Sequence, residues 1–206
     1  MFEDTLVVFL SDHGQPLGNG EHGHGIIRKC RPWPYEELVH IPLVVRCPGL
    51  KPGRVSAFVQ TVDVAPTIMD FLGVTERTGH MQGQSLLPLM RGDAGRIRDF
   101  AIAGYYNFSW SIITEEWSYI HWLDDKHFNE NPMKAAAAVG LGEYQERADI
   151  WTCTPGSEGE TPESDELYAR QADPFQLNNL IEKNPDTASQ LNQQLREFML
   201  TLKTQQ

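Results

Sequence analysis

Hydrophobic positions fall into two textures along this chain. In the first, apolar residues form continuous runs: Leu6-Val7-Val8-Phe9-Leu10 stops abruptly at Ser11-Asp12-His13-Gly14. A β-branched and aromatic run of this kind predicts a strand buried on both faces, as in a parallel sheet. Glu36 to Val39 predicts a helical turn. Pro42 to Arg46 predicts a second apolar strand closed by Pro48-Gly49, and Phe58 to Val62 a short third. Val64, Ile68, Phe71 and Leu72 then recur at helical spacing, with Asp63 as the expected N-cap and Gly73 as the stop.

Past Gly92 the runs shorten and become aromatic. Phe100 to Tyr105, Ser109 to Thr114 and Trp117 to Leu123 are spaced as antiparallel hairpins. Asp124 to Asp165 is polar and irregular, with a helix-prone stretch at Met133 to Val139 and a Gly/Glu/Pro-rich loop around Thr154 to Ser164. Loops this long are often functional, which marks the region as a candidate substrate-selecting insertion. At the end, Asn184 and Pro185 open a helix. Its apolar stripe, Ala188, Leu191, Leu195, Phe198 and Leu202, predicts packing on the small sheet.

Composition narrows the partners. The formal net charge of −11 over 206 residues argues against nucleic acid, which needs a basic face. It leaves a small anionic substrate open, because such a ligand responds to local charge. Hydrophobic content of 40% and charged content of 22% are those of an ordinary globular chain. No apolar run approaches the ~20 residues of a membrane span. Nor does the acidic start, Met1-Phe2-Glu3-Asp4, read as a signal peptide. Cys30, Cys47 and Cys153 lack metal-ligand spacing and read as isolated thiols.

Candidate chemistry gathers at the end of the first strand. Open α/β sheets bind ligands at strand C-termini, and there Asp12 offers a hard anionic oxygen and His13 a second donor. The segment from Gln15 to Pro34 is glycine-rich loop carrying Glu21, His22, His24, Arg28 and Lys29. His22 and His24 are left between facing a substrate and lying on the surface. Trp33, between Pro32 and Pro34, either packs on the domain or stacks on a sugar ring.

An ordered series of short motifs gives these residues a setting. Ser11-Asp12-His13-Gly14, Leu17-Gly18, Gly20-Glu21-His22-Gly23, Lys29, Tyr35-Glu36-Glu37, Ile41-Pro42-Leu43, Pro48-Gly49 and Asp63-Val64-Ala65-Pro66-Thr67 together resemble the C-terminal portion of a sulfatase (arylsulfatase type, alkaline phosphatase superfamily). Glu166-Leu167-Tyr168, Asp173-Pro174 and Asn179-Leu180 resemble that family's C-terminal signature, and Glu116 to Ile120 its small sheet.

The resemblance implies an α/β fold. A partial alkaline-phosphatase-like sandwich, mostly parallel sheet with flanking helices, is followed by a small antiparallel sheet with a C-terminal helix. The expected division is 1–95, part of the catalytic domain, and 96–206, a small α+β subdomain. It also implies hydrolysis of an aryl or carbohydrate sulfate ester, with Asp12 as a ligand to a divalent cation, most naturally Ca2+. His13 either completes that shell or donates to a sulfate oxygen, and calcium's preference for oxygen favours the second. Lys29 would hold a sulfate oxygen and stabilise the leaving group. The formylglycine nucleophile is expected on a missing N-terminal half; Cys30-Arg31-Pro32-Trp33-Pro34 is only a chance likeness to its maturation motif C-x-P-x-R, because Pro34 replaces the arginine. A fragment of this kind is expected to be inactive alone. Family members are often periplasmic or secreted, and the compartment stays open. The alternatives are a phosphonate or phosphate ester hydrolase of the same superfamily, and a vestigial non-catalytic module.

Overall fold

The computed structural model describes residues 2–15, 22–24, 34–76, 81–105, 109–122 and 164–203. Glu21, Arg28, Lys29, Cys30, Trp33, the stretch 133–139 and the loop around 154–163 therefore lie outside the described residues.

The first apolar run forms β1, Val7–Leu10, and Leu43–Arg46 forms β2. They pair antiparallel, Val7 opposite Arg46 and Leu10 opposite Leu43. The predicted parallel pairing with both faces buried is thus not what β1 does here. Side chains alternate across a strand, and Phe9 (64% exposed) stands beside Val44 (62%) on an open face. Nothing among the described residues covers it.

Between the two strands lies the helical turn α1, Glu36–Val39. Phe58 to Val62 does not form the expected third strand. Instead Thr61–Asp63 makes a 3-10 turn leading into α2, Val64–Phe71, and Gly73 ends it at φ +71°. The apolar positions that recur at helical spacing in α2 are not its most buried ones among the described residues. Ile68 and Leu72 are exposed, whereas Asp63, Pro66 and Thr67 are buried against the short helix α3, Leu87–Arg91. Thr67 Oγ1 donates to the Asp63 carbonyl at 2.6 Å and accepts from Leu86 N at 2.9 Å, so polar contacts fix the orientation of α2.

The aromatic runs do form hairpins. β3 (Ala101–Tyr105), β4 (Ser109–Ile113), β5 (Trp117–Trp122) and β6 (Glu166–Ala169) make one antiparallel sheet in that order. The C-terminal stripe becomes α4, Pro185–Lys203. Alternation along β5 gives this sheet two covered faces. Tyr119, with Ile112 and Leu167, packs under Ala188, Leu191 and Leu195 of α4. Ile120 and Trp122, with Tyr168, pack on Tyr35, the residue that opens α1. One aromatic side chain from the first part of the sequence therefore closes the second face of the later sheet.

Candidate functional site

The Ser11–Gly14 turn leaves the end of β1 and docks on α1. Gly14 N donates to the Leu38 carbonyl at 2.6 Å, using an acceptor that the end of a helix leaves open. A Cβ at position 14 would overlap the Glu37 carbonyl, so only glycine allows this approach. Gly14→Ala is expected to push the turn off α1 and cost about 1–3 kcal/mol, the range for overpacking a tight contact. An unshifted urea midpoint in that variant would show that the turn is not docked this way.

Docking sets out the two adjacent candidates. Ser11 Oγ donates to the His13 carbonyl at 2.6 Å, and His13 N donates to Asp12 Oδ1 at 3.0 Å. The Asp12 side chain is 84% exposed, while His13 is 31% exposed with Nδ1 2.6 Å from the Gly14 carbonyl oxygen. Asp12 thus faces solvent, with His13 beside it and partly buried. Among the described residues no group of three His, Cys, Asp or Glu side chains is placed to hold a metal ion. Asp12 suits a hard cation chemically, but the donors present do not complete a shell.

α1 is the hub of the surrounding network. Its Glu36 carboxylate pairs with the Arg170 guanidinium, and His40 Nδ1 lies 3.2 Å from Glu36 Oε2. Burial pushes the Glu36 carboxyl up, but hydrogen bonds from His40 and Arg170 and their positive charges outweigh it and hold it down at about 2. The hydrogen bond to Glu36 in turn raises His40. Gln176 Oε1 accepts from Glu36 N at 2.6 Å, capping the first free amide of α1, while Gln176 Nε2 donates to Ser118 Oγ of β5 at 3.0 Å.

Beneath α1, Tyr35 Oη donates to Glu166 Oε1 at 3.2 Å, and Trp122 Nε1 donates to Glu166 Oε2 at 3.3 Å. Burial pushes the Glu166 carboxyl above the usual range, a rise only partly offset by hydrogen bonds from Tyr168, Tyr35 and Trp122. Burial likewise raises the Tyr35 and Tyr168 phenols.

Four motifs noted along the sequence, Ser11–Gly14, Tyr35–Glu37, Glu166–Tyr168 and Asp173-Pro174, therefore meet around α1. Lys29 lies outside the described residues. His22 is exposed, its ring edge-on to Phe175 at 5.4 Å. Arg170 and Gln176 were missed by sequence reasoning. No spacing rule links residues 134 and 140 positions apart. The only local hint was the Asp173-Pro174 turn, where the Asp173 carboxylate accepts from Leu177 N and Asn178 N. Asp63 is structural, as expected, but it does not cap α2: its Oδ2 accepts from Gln60 N at 2.7 Å across the preceding 3-10 turn.

This architecture, with the Ser11–Gly14 turn on α1, is that of the sulfatases with alkaline-phosphatase-like fold. Residues 20–131, just over half the chain, match the family described as N-sulphoglucosamine sulphohydrolase, C-terminal, and the chain belongs to that family. It is similar to the N-acetylglucosamine-6-O-sulfatase of Bacteroides thetaiotaomicron, with 28% identity over 88% of this chain and 27% of the relative. Arylsulfatase K of Canis lupus familiaris is 26% identical over 97% of this chain and 32% of that protein. Among solved structures, BT4656 in complex with its substrate D-glucosamine-2-N,6-O-disulfate superposes with a TM-score of 0.68. The match has 26% identity and covers 97% of this chain and 35% of that one. The phosphonate monoester hydrolase of Agrobacterium radiobacter shares the fold, at a TM-score of 0.62 and 23% identity over 99% of this chain and 36% of that one. The chain thus spans about a third or less of these relatives and corresponds to their C-terminal portion. No helix among the described residues is long and apolar enough to cross a membrane.

Proposed function

We propose that this chain is the C-terminal part of a sulfuric ester hydrolase acting on carbohydrate or aryl sulfates. The observation that carries the reading is the adjacent Asp12-His13 pair at the end of β1, its turn held on α1 by Gly14, in a member of a sulphohydrolase family. The substrate class is supported by relatives named for N-acetylglucosamine-6-O-sulfate and aryl sulfate hydrolysis.

In this reading Asp12 is one oxygen ligand to a divalent cation, best Ca2+, with the other ligands and the formylglycine nucleophile on a missing N-terminal half. When bound, such a cation supplies electrostatic stabilisation of negative charge on the sulfate oxygens. His13 donates to a sulfate oxygen. Lys29 neutralises charge on the sulfate and on the departing oxygen. The division into 1–95 and 96–206 belongs to the same proposal.

Exposed apolar side chains support a missing half. Of eleven large hydrophobic residues exposed among the described residues, eight lie before residue 95: Val7, Phe9, Val44, Val55, Val62, Ile68, Leu72 and Val74. Phe9 and Val44, paired across β1 and β2, form one continuous open apolar face, and contiguous exposed apolar surface marks a site of interaction.

The test is to sequence the coding DNA upstream of Met1 and to co-produce the segment it encodes with this chain. The expected segment carries paired aspartates and C-x-P-x-R. 4-Nitrophenyl sulfate should be hydrolysed only by the combination, with chelation abolishing the activity and calcium restoring it. Asp12→Ala and Lys29→Ala should each lower kcat by about 10²–10³-fold, the scale for losing one charge-stabilising group. Turnover by the chain alone, or cleavage of phosphonate esters with none of sulfate esters, would overturn the reading.

A further inference from the structure

Among the described residues Gln176 is the one residue other than glycine with a positive φ, +55°, and it is only 2% exposed. A residue with a Cβ is uncommon in that conformation and stays there only where its surroundings hold it. Glycine would take the same turn freely, so the backbone alone does not account for a glutamine.

The side chain does. Its amide is used at both ends: Oε1 accepts from Glu36 N at 2.6 Å, and Nε2 donates to Ser118 Oγ of β5 at 3.0 Å. The backbone is held as well. Gln176 N donates to the Asp173 carbonyl at 3.0 Å, and the Gln176 carbonyl oxygen lies 2.9 Å from His24 Nε2. The His24 ring lies flat on that of Tyr35, with centroids 3.7 Å apart.

α1 has little of its own to hold it in place. Four residues are too few for a helix to persist by itself. Tyr35, at its N-cap, gives the first turn no side-chain hydrogen bond. Gln176 supplies that bond from 140 positions away. Arg170 on Glu36 and Glu166 on Tyr35 grip the same end of the turn. The other end presents the Leu38 carbonyl, on which Gly14 docks. Glu36 and Leu38 belong to one helical turn, so a displacement of the first is passed to the second.

We propose that Gln176 is a positioning residue for Asp12 and His13: by capping α1 it fixes the Leu38 carbonyl, and with it Gly14 and the pair that precedes it. The catalytic meaning of that position rests on the sulfatase reading above; the mechanical link does not.

The test is amide hydrogen exchange in the 206-residue chain, wild type against Gln176→Asn. Asparagine tolerates the left-handed backbone, but its side chain is one methylene shorter and does not span from Ser118 to α1. Exchange at Gly14 should be at least about tenfold faster in the variant, with the hydrogen-bonded amides of β4 and β5 changed by less than about threefold. Equal acceleration at Gly14 and in the sheet would mean a loss of overall stability alone and would overturn the proposal. Unchanged exchange at Gly14 would do the same. Wild type gives a second reading that needs no variant to fold. The Glu36 amide, the group that Gln176 caps, should be protected at least as well as that of Gly14. A Glu36 amide that opens far more often would sink the link, because the turn would then stay docked with the cap broken.

In the co-produced enzyme Gln176→Asn should lower kcat by about tenfold to a hundredfold, with KM less affected, as expected when reacting groups are displaced rather than removed. An unchanged kcat would overturn the positioning role and leave the sulfatase reading standing. No turnover by the wild-type combination would remove that reading, and with it the catalytic meaning, while exchange at Gly14 still decides the link.

Discussion

Asp63→Ala is expected to cost about 3–5 kcal/mol, the range for removing one partner of a buried ion pair. Asp63 has no exposed surface, and its carboxylate serves three donors. Oδ2 accepts from Gln60 N; Oδ1 accepts from Gln84 N at 2.9 Å and from Arg98 Nη2 at 2.5 Å. Alanine would leave the guanidinium, whose side chain is 13% exposed, buried without its counter-charge, and two amides without acceptors. The effect should reach beyond the 3-10 turn. Gln60 exchanges hydrogen bonds with Ile102, so the same knot ties α2 and α3 to the edge strand of the later sheet. Asp63→Asn, which keeps the shape and an acceptor, should lose less. Urea titration of the two variants measures this, and a loss below about 1 kcal/mol for alanine would mean that Arg98 finds solvent instead.

Acid is expected to have the second large effect, through Glu36. Its carboxyl is held at about 2 in the folded chain against 4.5 as the ordinary value, so the stability it contributes is complete above 4.5 and disappears as pH falls toward about 2. At about 1.4 kcal/mol per pH unit, that difference corresponds to at most about 3 kcal/mol. Glu36 is only 15% exposed, but His40 is 74% exposed and its share is screened by solvent, so Arg170 carries more of the effect. The comparison is unfolding free energy at pH 6, 4 and 3 for wild type, Glu36→Gln and Arg170→Met. Both variants should be flatter than wild type across that interval. The difference curve is needed because Glu166 works in the opposite sense: its raised carboxyl favours the folded state at low pH and less so as pH rises. Equal slopes in wild type and Glu36→Gln would show the ion pair to be without net effect.

Much of the later sheet was legible from the sequence because its determinants are local. β-Branched and aromatic runs separated by a few turn residues specify hairpins, and the three- and four-residue spacing of Ala188, Leu191 and Leu195 specifies a helix with one apolar side. The short strand Glu166–Ala169 was visible only as a motif, since four residues carry too little periodicity to be read as a strand. α2 was found, but its spacing did not say which side is buried. Among the described residues Ile68 and Leu72 are exposed, and the hydrogen bonds of Asp63 and Thr67 hold the opposite side inward.

By itself, the sequence determined the family, the candidate pair Asp12-His13 at a strand end, the hairpin sheet and the amphipathic C-terminal helix. Each of these is written in neighbouring residues, where chain connectivity already supplies proximity. Only the tertiary structure decided that β1 pairs antiparallel with β2, that α1 is the hub, and that His24, Glu36 and Tyr35 engage Gln176, Arg170 and Glu166. The contacts with Gln176, Arg170 and Glu166 join residues more than a hundred positions apart, and no period or spacing can encode them. They follow from which apolar faces are buried together and from the need of each buried polar group for a partner.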